Sequence, residues 1–367
     1  MNIRDVLKAM VQLRSSDLFL KVASPPRVRV DGAVRQLGTV AMTKEDMKDA
    51  FALIIDEVAR ETFKKAHECD TAFEDPEIGR FRVNAFLQRG QIGMVLRHVR
   101  GDIPTFKDLG LPIETMERLA LLKRGLVLVT GITGSGKSTT LASMISYMNA
   151  TVNRHIITCE DPIEYSYKDE RCLINQREIG IDTRDFKSAL RNAMREAPDV
   201  ILIGEMRDAE TVAAAIDAAE TGHLVLSTLH TINAQQTMER IINFFPPFQH
   251  ALIRMQLSMV FQAVVSQRLI PRKDTPGRVP GLEIMVSTPT IKQMLEEGRT
   301  PELYSAIRDS IHFGCMTFNQ SLYNLFEQGS ISREDALANS DNPDEMEMLF
   351  RGIQRGSSSQ MAPAIKK

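Results

Sequence analysis

The stretch that decides the fold is Leu-Val-Leu-Val-Thr-Gly-Ile-Thr-Gly-Ser-Gly-Lys-Ser, which occupies residues 126–138. Its second part, Gly131–Ser138, fits the pattern G-x-x-x-x-G-K-[ST]. The apolar run Leu126–Val129 before it is typical of a buried strand, and the stretch Ser138–Met148 after it is typical of a helix. A strand, a glycine-rich turn and a helix in this order predict a loop that binds phosphate groups through its N–H groups and the helix N-terminus.

This turn supplies the candidate ligands of a nucleotide. Glycine lets the main chain curl around an anion without Cβ clashes. A lysine at the end of the turn can reach the β- and γ-phosphates, and the hydroxyl that follows it can ligate Mg²⁺. ATP and Mg²⁺ are therefore the expected cofactors, and the candidate ligands are Gly134, Ser135, Gly136, Lys137, Ser138 and Thr139.

Working outward, four short apolar runs alternate with helical segments, which indicates an α/β domain with a parallel sheet. The runs are Leu126–Thr130, Ile156–Cys159, Val200–Ile203 and Leu224–Thr228. We expect this domain to cover residues 113–355, with residues 281–351 mostly helical. Residues 356–367, rich in serine, are expected to be disordered.

The region before this domain has a different pattern. Residues 1–100 combine helical stretches at 3–13 and 43–66 with strand-like runs at 17–22, 27–30, 68–74, 80–88 and 91–99, and they contain no nucleotide motif. This predicts a smaller α+β domain. Gly101-Asp102-Ile103-Pro104 interrupts the pattern, so residues 101–112 are expected to form a linker.

Composition limits the possible functions. The net charge of −2 is not that of a nucleic-acid-binding protein. No apolar run is long enough to span a bilayer, and residues 1–5 show no apolar signal core. We therefore expect a cytoplasmic protein without nucleic acid and without direct membrane insertion. The four cysteines form no C-x-x-C pair and are expected to be free, buried thiols.

Two acidic residues follow strand-like runs and are candidates for acting on the metal or the attacking water. Glu205 comes just after Val200–Ile203, where open α/β sheets bind ligands. It is the expected metal-site carboxylate together with the Ser138 hydroxyl. Glu164 lies in the acidic stretch that begins at Glu160, and the pattern alone leaves open whether it is catalytic or a solvated loop charge.

Two histidines and two arginines complete the candidates. His223 and His230 flank the run Leu224–Thr228, where they could sense the state of the nucleotide or be structural. Arg82 and Arg97 lie on strand-like stretches of the first domain. Arginine can bind phosphate oxygens with two N–H groups, but such residues are more often surface charges.

Four motifs together resemble a known family. They are the loop Gly131–Ser138, the acidic box at residues 156–165, the Walker B segment at 201–208 and the histidine box at 219–230. In this order they are similar to the type IV pilus retraction ATPases of the PilT/PilU group, within the secretion superfamily ATPases. The resemblance implies a PAS-like N-terminal domain, a RecA-like ATPase core and a homohexameric ring.

The resemblance also implies roles for individual residues. Glu164 matches the catalytic glutamate that polarises water, and Glu205 matches the Walker B glutamate. His223 and His230 match the histidines near the nucleotide and the subunit interface. Arg82 and Arg97 resemble the arginines that the N-terminal domain contributes to phosphate binding.

Within the group, the chain resembles the PilU branch. Residues 287–294 differ from the Ala-Ile-Arg-Asn-Leu type motif of the PilT branch. This implies an accessory retraction motor that works with a paralogous retraction ATPase and an inner-membrane pilus platform protein, at the inner face of the inner membrane. A principal PilT-type motor, an ATP-binding regulatory subunit with little turnover and a P-loop kinase remain alternatives.

Overall fold

The computed structural model describes residues 1–30 and 32–353, so the expected disordered tail lies outside the described residues. Contacts divide the chain into two units. The first unit contains Met1–Asp102 and Ile163–Tyr167, and the second contains Ile103–Pro162 and the chain from Lys168 onward.

The first unit is a six-stranded antiparallel sheet that shares one hydrophobic core with three helices. Its strands stand in the order β3-β2-β1-β6-β5-β4, with all neighbours antiparallel. The elements are α1 Ile3–Gln12, β1 Asp17–Lys21, β2 Arg27–Val30, β3 Ala33–Gln36, α2 Lys44–Ile54, α3 Glu57–Ala66, β4 Glu68–Asp75, β5 Gly79–Gln88 and β6 Gln91–His98.

Alternation along the strands separates a core face from a polar face. Leu18, Phe81 and Leu96 are buried in the core. Arg82 and Arg97 are exposed, and they are direct partners across β5 and β6. The two predicted arginines therefore lie side by side on the face that is turned away from the core.

The sequence pattern misplaced two details of this unit. The stretch 43–66, expected as one helix, is α2 followed by α3, because Ile55 is extended and the Asp56 side chain accepts from the N–H group of Ala59 to cap the second helix. Strand β3 was not expected. All four of its residues are exposed, so it carries no alternating apolar signal.

The second unit contains the remaining elements. They are α4 Ile113–Ala120, β7 Gly125–Thr130, α5 Lys137–Thr151, β8 His155–Glu160, β9 Leu173–Glu178, α6 Phe186–Ala193, β10 Val200–Ile203, α7 Ala209–Glu220, β11 Leu224–Leu229, α8 Ala234–Asn243, α9 His250–Val260, β12 Phe261–Pro271, β13 Arg278–Val286, α10 Pro289–Glu297, α11 Leu303–Asp309, α12 Phe318–Glu327, α13 Arg333–Ala338 and α14 Pro343–Phe350. Short 3₁₀ turns lie at Pro247–Gln249, Thr300–Glu302 and Ile311–Phe313.

These strands form one sheet in the order β13-β12-β7-β11-β10-β8-β9. It is parallel from β12 to β9, and β13 is an antiparallel edge strand. The four predicted apolar runs are strands β7, β8, β10 and β11. Because these strands are parallel, the turns after β7, β8, β10 and β11 meet at one edge of the sheet, where such folds bind ligands.

Three expectations differ from the structure. Arg278–Val286 overlaps the region expected to be helical, but it forms a strand, nearly all of it buried, that pairs with β12. Residues 103–112, expected as part of a linker, belong to the second unit, and Phe106 packs buried against the Tyr147 ring. Ile163–Tyr167, expected in the ATPase domain, belongs to the first unit, where Tyr165 bridges to Arg100.

All four cysteines are free and buried, as expected. Burial raises the pKa of each thiol, for Cys159 to about 12. In the part of the chain that the structure describes, no helix is long and apolar enough to cross a membrane.

A buried carboxylate lies beneath the start of α8. Glu283 on β13 accepts a hydrogen bond of 2.7 Å from the N–H group of Ala234, the first residue of that helix. The pKa of Glu283 is raised to about 7, mainly by burial. The hydrogen bond from Ala234 and the charge of Arg268 lower this pKa, and the charge of Asp341 raises it. The carboxylate is therefore destabilising to the folded protein when it is ionised.

The Glu283→Gln variant tests this effect. An acid whose pKa is raised by folding lowers stability most above the folded pKa, and the loss is relieved as the pH falls toward the ordinary value of 4.5. The variant should therefore unfold at a higher temperature than wild type at pH 8, by about 2–4 °C. The advantage should shrink between pH 7 and pH 5 in thermal denaturation. Glu296→Gln, at an exposed position of α10, is the matched control and should show neither effect.

Candidate active site

The glycine-rich loop joins β7 to α5. Its three glycines differ in the space that a Cβ would have. Gly131, Gly134 and Gly136 have φ values of +146°, +78° and +92°, which residues with a Cβ rarely adopt. A Cβ on Gly131 would lie 2.4 Å from the carbonyl oxygen of Gln267, and one on Gly136 would lie 2.9 Å from the Gln267 side-chain nitrogen. A Cβ on Gly134 would have no described atom within 4 Å, so the middle of the loop is open.

Lys137 begins helix α5 and folds back over the loop. Its ammonium group donates to the carbonyl oxygens of Gly131 at 2.9 Å and Ile132 at 3.1 Å. It also lies 3.4 Å from Nδ1 of His230. The side chain is buried, so the charge is held within the loop by main-chain oxygens.

His230 connects the loop to the carboxylate that follows β10. An ammonium group can only donate, so the Nδ1 that faces Lys137 accepts and the proton of the neutral ring is on Nε2. That nitrogen lies 3.2 Å from Oε1 of Glu205. Three predicted residues, Lys137, His230 and Glu205, therefore form one continuous polar chain.

Arg207 extends this chain on the other side of Glu205. Its Nε donates to Oε2 of Glu205 at 2.8 Å, and its Nη1 lies 3.5 Å from Asp161. The hydrogen bond to Glu205 raises the pKa of Arg207. Both oxygens of Glu205 thus face donors, and the side chain, 18% exposed, keeps one fixed orientation.

The donors present fit a triphosphate with Mg²⁺. The Ser135 hydroxyl is buried and has no hydrogen-bond partner within the described residues, and a phosphate oxygen is one group that would satisfy it. Ser138 lies half-buried in the first turn of α5, where a hydroxyl can ligate the metal. The buried ammonium group of Lys137 supplies the positive charge that phosphate requires.

Comparison with known proteins agrees with this geometry. The model of a protein family described as type II/IV secretion system protein matches residues 75–321. The chain belongs to this family. The matched range includes the glycine-rich loop, Glu205 and both histidines.

Individual members of the type II/IV secretion system family are similar over nearly their full length. The type IV pilus ATPase PilU of Pseudomonas aeruginosa is 44% identical over 351 residues, which are 96% of this chain and 92% of PilU. The type IV pilus retraction ATPase PilT of the same organism is also 44% identical, over 92% of this chain and 97% of PilT.

A crystal structure of the pilus retraction motor PilT with bound ADP matches with a TM-score of 0.86 at 44% identity, over 95% of this chain and 99% of that one. The ATPase DotB of Legionella pneumophila matches with a TM-score of 0.71 at 29% identity, over 95% of each chain. These relatives confirm the predicted resemblance, the RecA-like ATPase core with a smaller N-terminal domain, and the prediction that the chain is an ATPase.

Two other predicted residues, His223 and Glu164, are not part of the polar chain of Lys137, His230 and Glu205. His223 precedes β11 and His230 follows it, so about 20 Å of strand separates the two histidines. Nδ1 of His223 lies 2.8 Å from the carbonyl oxygen of Ala218. The structure therefore does not bring His223 to the loop of its own chain. Glu164 is exposed and lies on the segment that belongs to the first unit.

Arg97 is oriented by a buried carboxylate within the first unit. Asp17 is the direct partner of Arg97 across β1 and β6 and of Arg29 across β1 and β2. Its Oδ1 accepts from Nε of Arg97 at 2.9 Å, and its Oδ2 lies 3.3 Å from Nε of Arg29. Asp17 is 6% exposed and Arg97 is 64% exposed, so the base of the arginine is fixed while much of its surface faces solvent.

We expect Asp17→Asn to destabilise the protein by about 1 to 2 kcal/mol in urea denaturation, because a buried charge-assisted contact to two arginines is lost. Asp70→Asn is the matched control. Asp70 is exposed on β4 and accepts a hydrogen bond of 3.2 Å from the Asn84 side chain. Equal stabilities for the two variants would contradict the role of Asp17.

Two contributors were not found from the sequence. Arg207 lies in the segment that was recognised, but nothing in its spacing shows that it holds Glu205. Gln267 is one of four polar residues in the run Phe261–Ile270, with Gln262, Ser266 and Arg268, so the sequence does not single it out. Only the structure shows that its amide is buried, and a buried amide needs partners.

Proposed function

We propose that the chain is a hexameric ATPase that hydrolyses ATP to power type IV pilus retraction. The observation that carries the proposal is the polar chain of Lys137, His230 and Glu205, which links the phosphate loop to the carboxylate that follows β10. The protein is 44% identical to PilU and to PilT over more than nine-tenths of its length. This identity supports pilus retraction as the work that ATP hydrolysis drives.

Within this proposal each residue has a chemical task. Gly134, Ser135, Gly136 and Thr139 bind phosphate oxygens through the loop and the helix N-terminus. Lys137 turns from the carbonyl oxygens of the loop to the β- and γ-phosphates.

The hydroxyl of Ser138 and the carboxylate of Glu205 would hold Mg²⁺ or its waters. When bound, Mg²⁺ neutralises charge that develops on the phosphate oxygens. His230 joins Lys137 to Glu205, so that a change at the phosphates alters the hydrogen bonds of the carboxylate.

Residues whose roles are implied only by the family resemblance complete the proposed mechanism. Glu164 directs water at the γ-phosphate, and Arg82 and Arg97 offset charge in the transition state. His223 contributes to the nucleotide site of a neighbouring subunit. Binding and product release then alternate between subunits of a homohexamer.

The finer part of the proposal concerns partners. We infer a cytoplasmic motor at the inner face of the inner membrane that acts on the pilus platform protein. We further infer an accessory role beside a paralogous retraction ATPase. Residues 287–294, which begin before α10 and run into it, differ from the motif of the PilT branch, and this difference supports the accessory role.

Three measurements test the proposal. The purified protein should release phosphate from Mg-ATP and should have the mass of a hexamer in light scattering. Deletion of the gene should leave excess surface pili and impaired twitching. Bald cells would instead indicate pilus assembly, and phosphate transfer to an acceptor in place of free phosphate would indicate a kinase.

The accessory role needs a separate experiment. Turnover and retraction are measured for the chain alone and for a mixture with its paralogue. Retraction only in the mixture supports the accessory role, and full retraction by the chain alone would indicate a principal motor. Nucleotide binding without turnover in either case would indicate a regulatory subunit.

A further inference from the structure

A buried glutamine connects strand β12 to both ends of the glycine-rich loop. Gln267 is 2% exposed. Its Nε2 donates to the carbonyl oxygen of Ser135 at 2.6 Å, and its Oε1 accepts from the hydroxyl of Thr140 at 3.0 Å. A carbonyl oxygen can only accept, so the orientation of the amide is fixed by chemistry.

The main chain of the same residue lies close to the beginning of the loop. Just before the loop, the hydroxyls of Thr130 and Ser266 lie 2.8 Å apart across the paired strands β7 and β12. The next residue on β12 is Gln267, whose carbonyl oxygen comes so close to Gly131 that a Cβ there would clash. The main chain of Gln267 therefore lies against the start of the loop, and its side chain is hydrogen-bonded to the end of the loop.

We propose that Gln267 is a positioning residue that holds the phosphate loop in its nucleotide-binding shape before the nucleotide arrives. The inference rests on the proposed function, in which this loop binds Mg-ATP. The hydrogen bonds within the loop run from the Ser135 N–H group and the Lys137 ammonium group to the carbonyl oxygens of Gly131 and Ile132. They do not hold the carbonyl oxygen of Ser135, which the Gln267 amide holds from outside the loop. Without the amide, a smaller fraction of molecules has the competent loop, and the apparent affinity falls in proportion.

The test uses the full chain and two substitutions of similar size. Gln267→Met removes the donor and the acceptor. Gln267→Glu retains an acceptor for Thr140 but, when ionised, places a second oxygen against the carbonyl oxygen of Ser135. We expect both variants to raise the Kd for Mg-ADP and the KM for Mg-ATP by about tenfold or more, with kcat changed less than KM.

A pH series separates positioning from general stability. A protonated glutamic acid can donate to the carbonyl oxygen of Ser135, so the affinity of Gln267→Glu should recover toward wild type as the pH falls, whereas that of Gln267→Met should not. Gln262→Glu is the matched control. Gln262 lies on the same strand beside the start of β7 rather than the loop, and its variant should bind Mg-ADP like wild type at every pH.

The outcomes distinguish the proposed function from the positioning role of Gln267. Wild-type protein that does not bind Mg-ADP would overturn the proposed function itself. Binding by wild type together with an unchanged Kd in folded Gln267→Met would overturn the positioning role alone. If neither Gln267 variant folds, Thr140→Val decides. It removes one contact of the amide and should raise the Kd about threefold, and an unchanged Kd would overturn the inference.

Discussion

Lys137→Ala should lower ATPase turnover by on the order of 10²–10³-fold, the loss measured when one preorganised group that stabilises transition-state charge is removed. Lys137 is the cation that the loop holds against its own carbonyl oxygens. Its replacement should also weaken Mg-ADP binding, because alanine leaves the phosphates without that charge. Phosphate release and calorimetric titration measure the two effects.

Lys187→Ala provides the matched control for this experiment. Lys187 lies exposed on α6 and pairs with Glu210 at 2.9 Å, away from the loop in sequence and on a different element. Its variant should retain wild-type turnover, since an exposed ion pair contributes little. Full activity in Lys137→Ala would remove the loop from the mechanism.

Glu205→Gln should separate chemistry from binding. We expect kcat to fall on the order of 10²-fold, while the Kd for Mg-ADP changes less than tenfold. The amide has nearly the shape of the carboxylate, but it has lost the negative charge that attracts Mg²⁺ or its waters. Its NH₂ group also faces Arg207 or His230, which are both donors.

The partner of Lys187 supplies the control here. Glu210→Gln makes the same change at an exposed carboxylate on α7 and should leave kcat unchanged. A double variant of Glu205→Gln with His230→Ala adds a further check. If His230 acts through Glu205, the second substitution should reduce kcat much less than it does in the wild-type background.

Much of the second unit could be predicted because its signals are local. The run Leu126–Val129, the glycines and Lys137 are contiguous, so one stretch of sequence specifies the strand, the turn and the helix. Glu205 was found for a similar reason. It follows the buried strand Val200–Ile203, and carboxyl ends of parallel strands meet at one edge.

Two features that sequence reasoning missed, the strand Arg278–Val286 and the role of Gln267, depend on distant partners. Arg278–Val286 is almost wholly buried on both faces, so it has neither strand nor helix periodicity, and its identity comes from pairing with β12. Gln267 acts on residues more than 120 positions earlier. No local pattern could show that its amide reaches the loop.

The two histidines show a limit of predicting a residue's role from its position in the sequence. His223 and His230 lie at the two ends of one strand and look equivalent as a pair. A strand carries its ends apart by about 3.3 Å per residue, so only the residue after the carboxyl end can share the edge with Lys137. Any role of His223 in nucleotide binding then requires a second chain.

The course of the chain between the two units has a practical consequence for experiments on fragments of this protein. Because Ile163–Tyr167 belongs to the first unit, the chain passes from one unit to the other three times, after Asp102, after Pro162 and after Tyr167. No single cut yields two complete halves. A fragment that ends at Asp102 lacks part of its own fold, and the complementary fragment carries five residues that have lost their packing partners. Work on the isolated halves would therefore report on fragments that lack packing partners present in the intact chain.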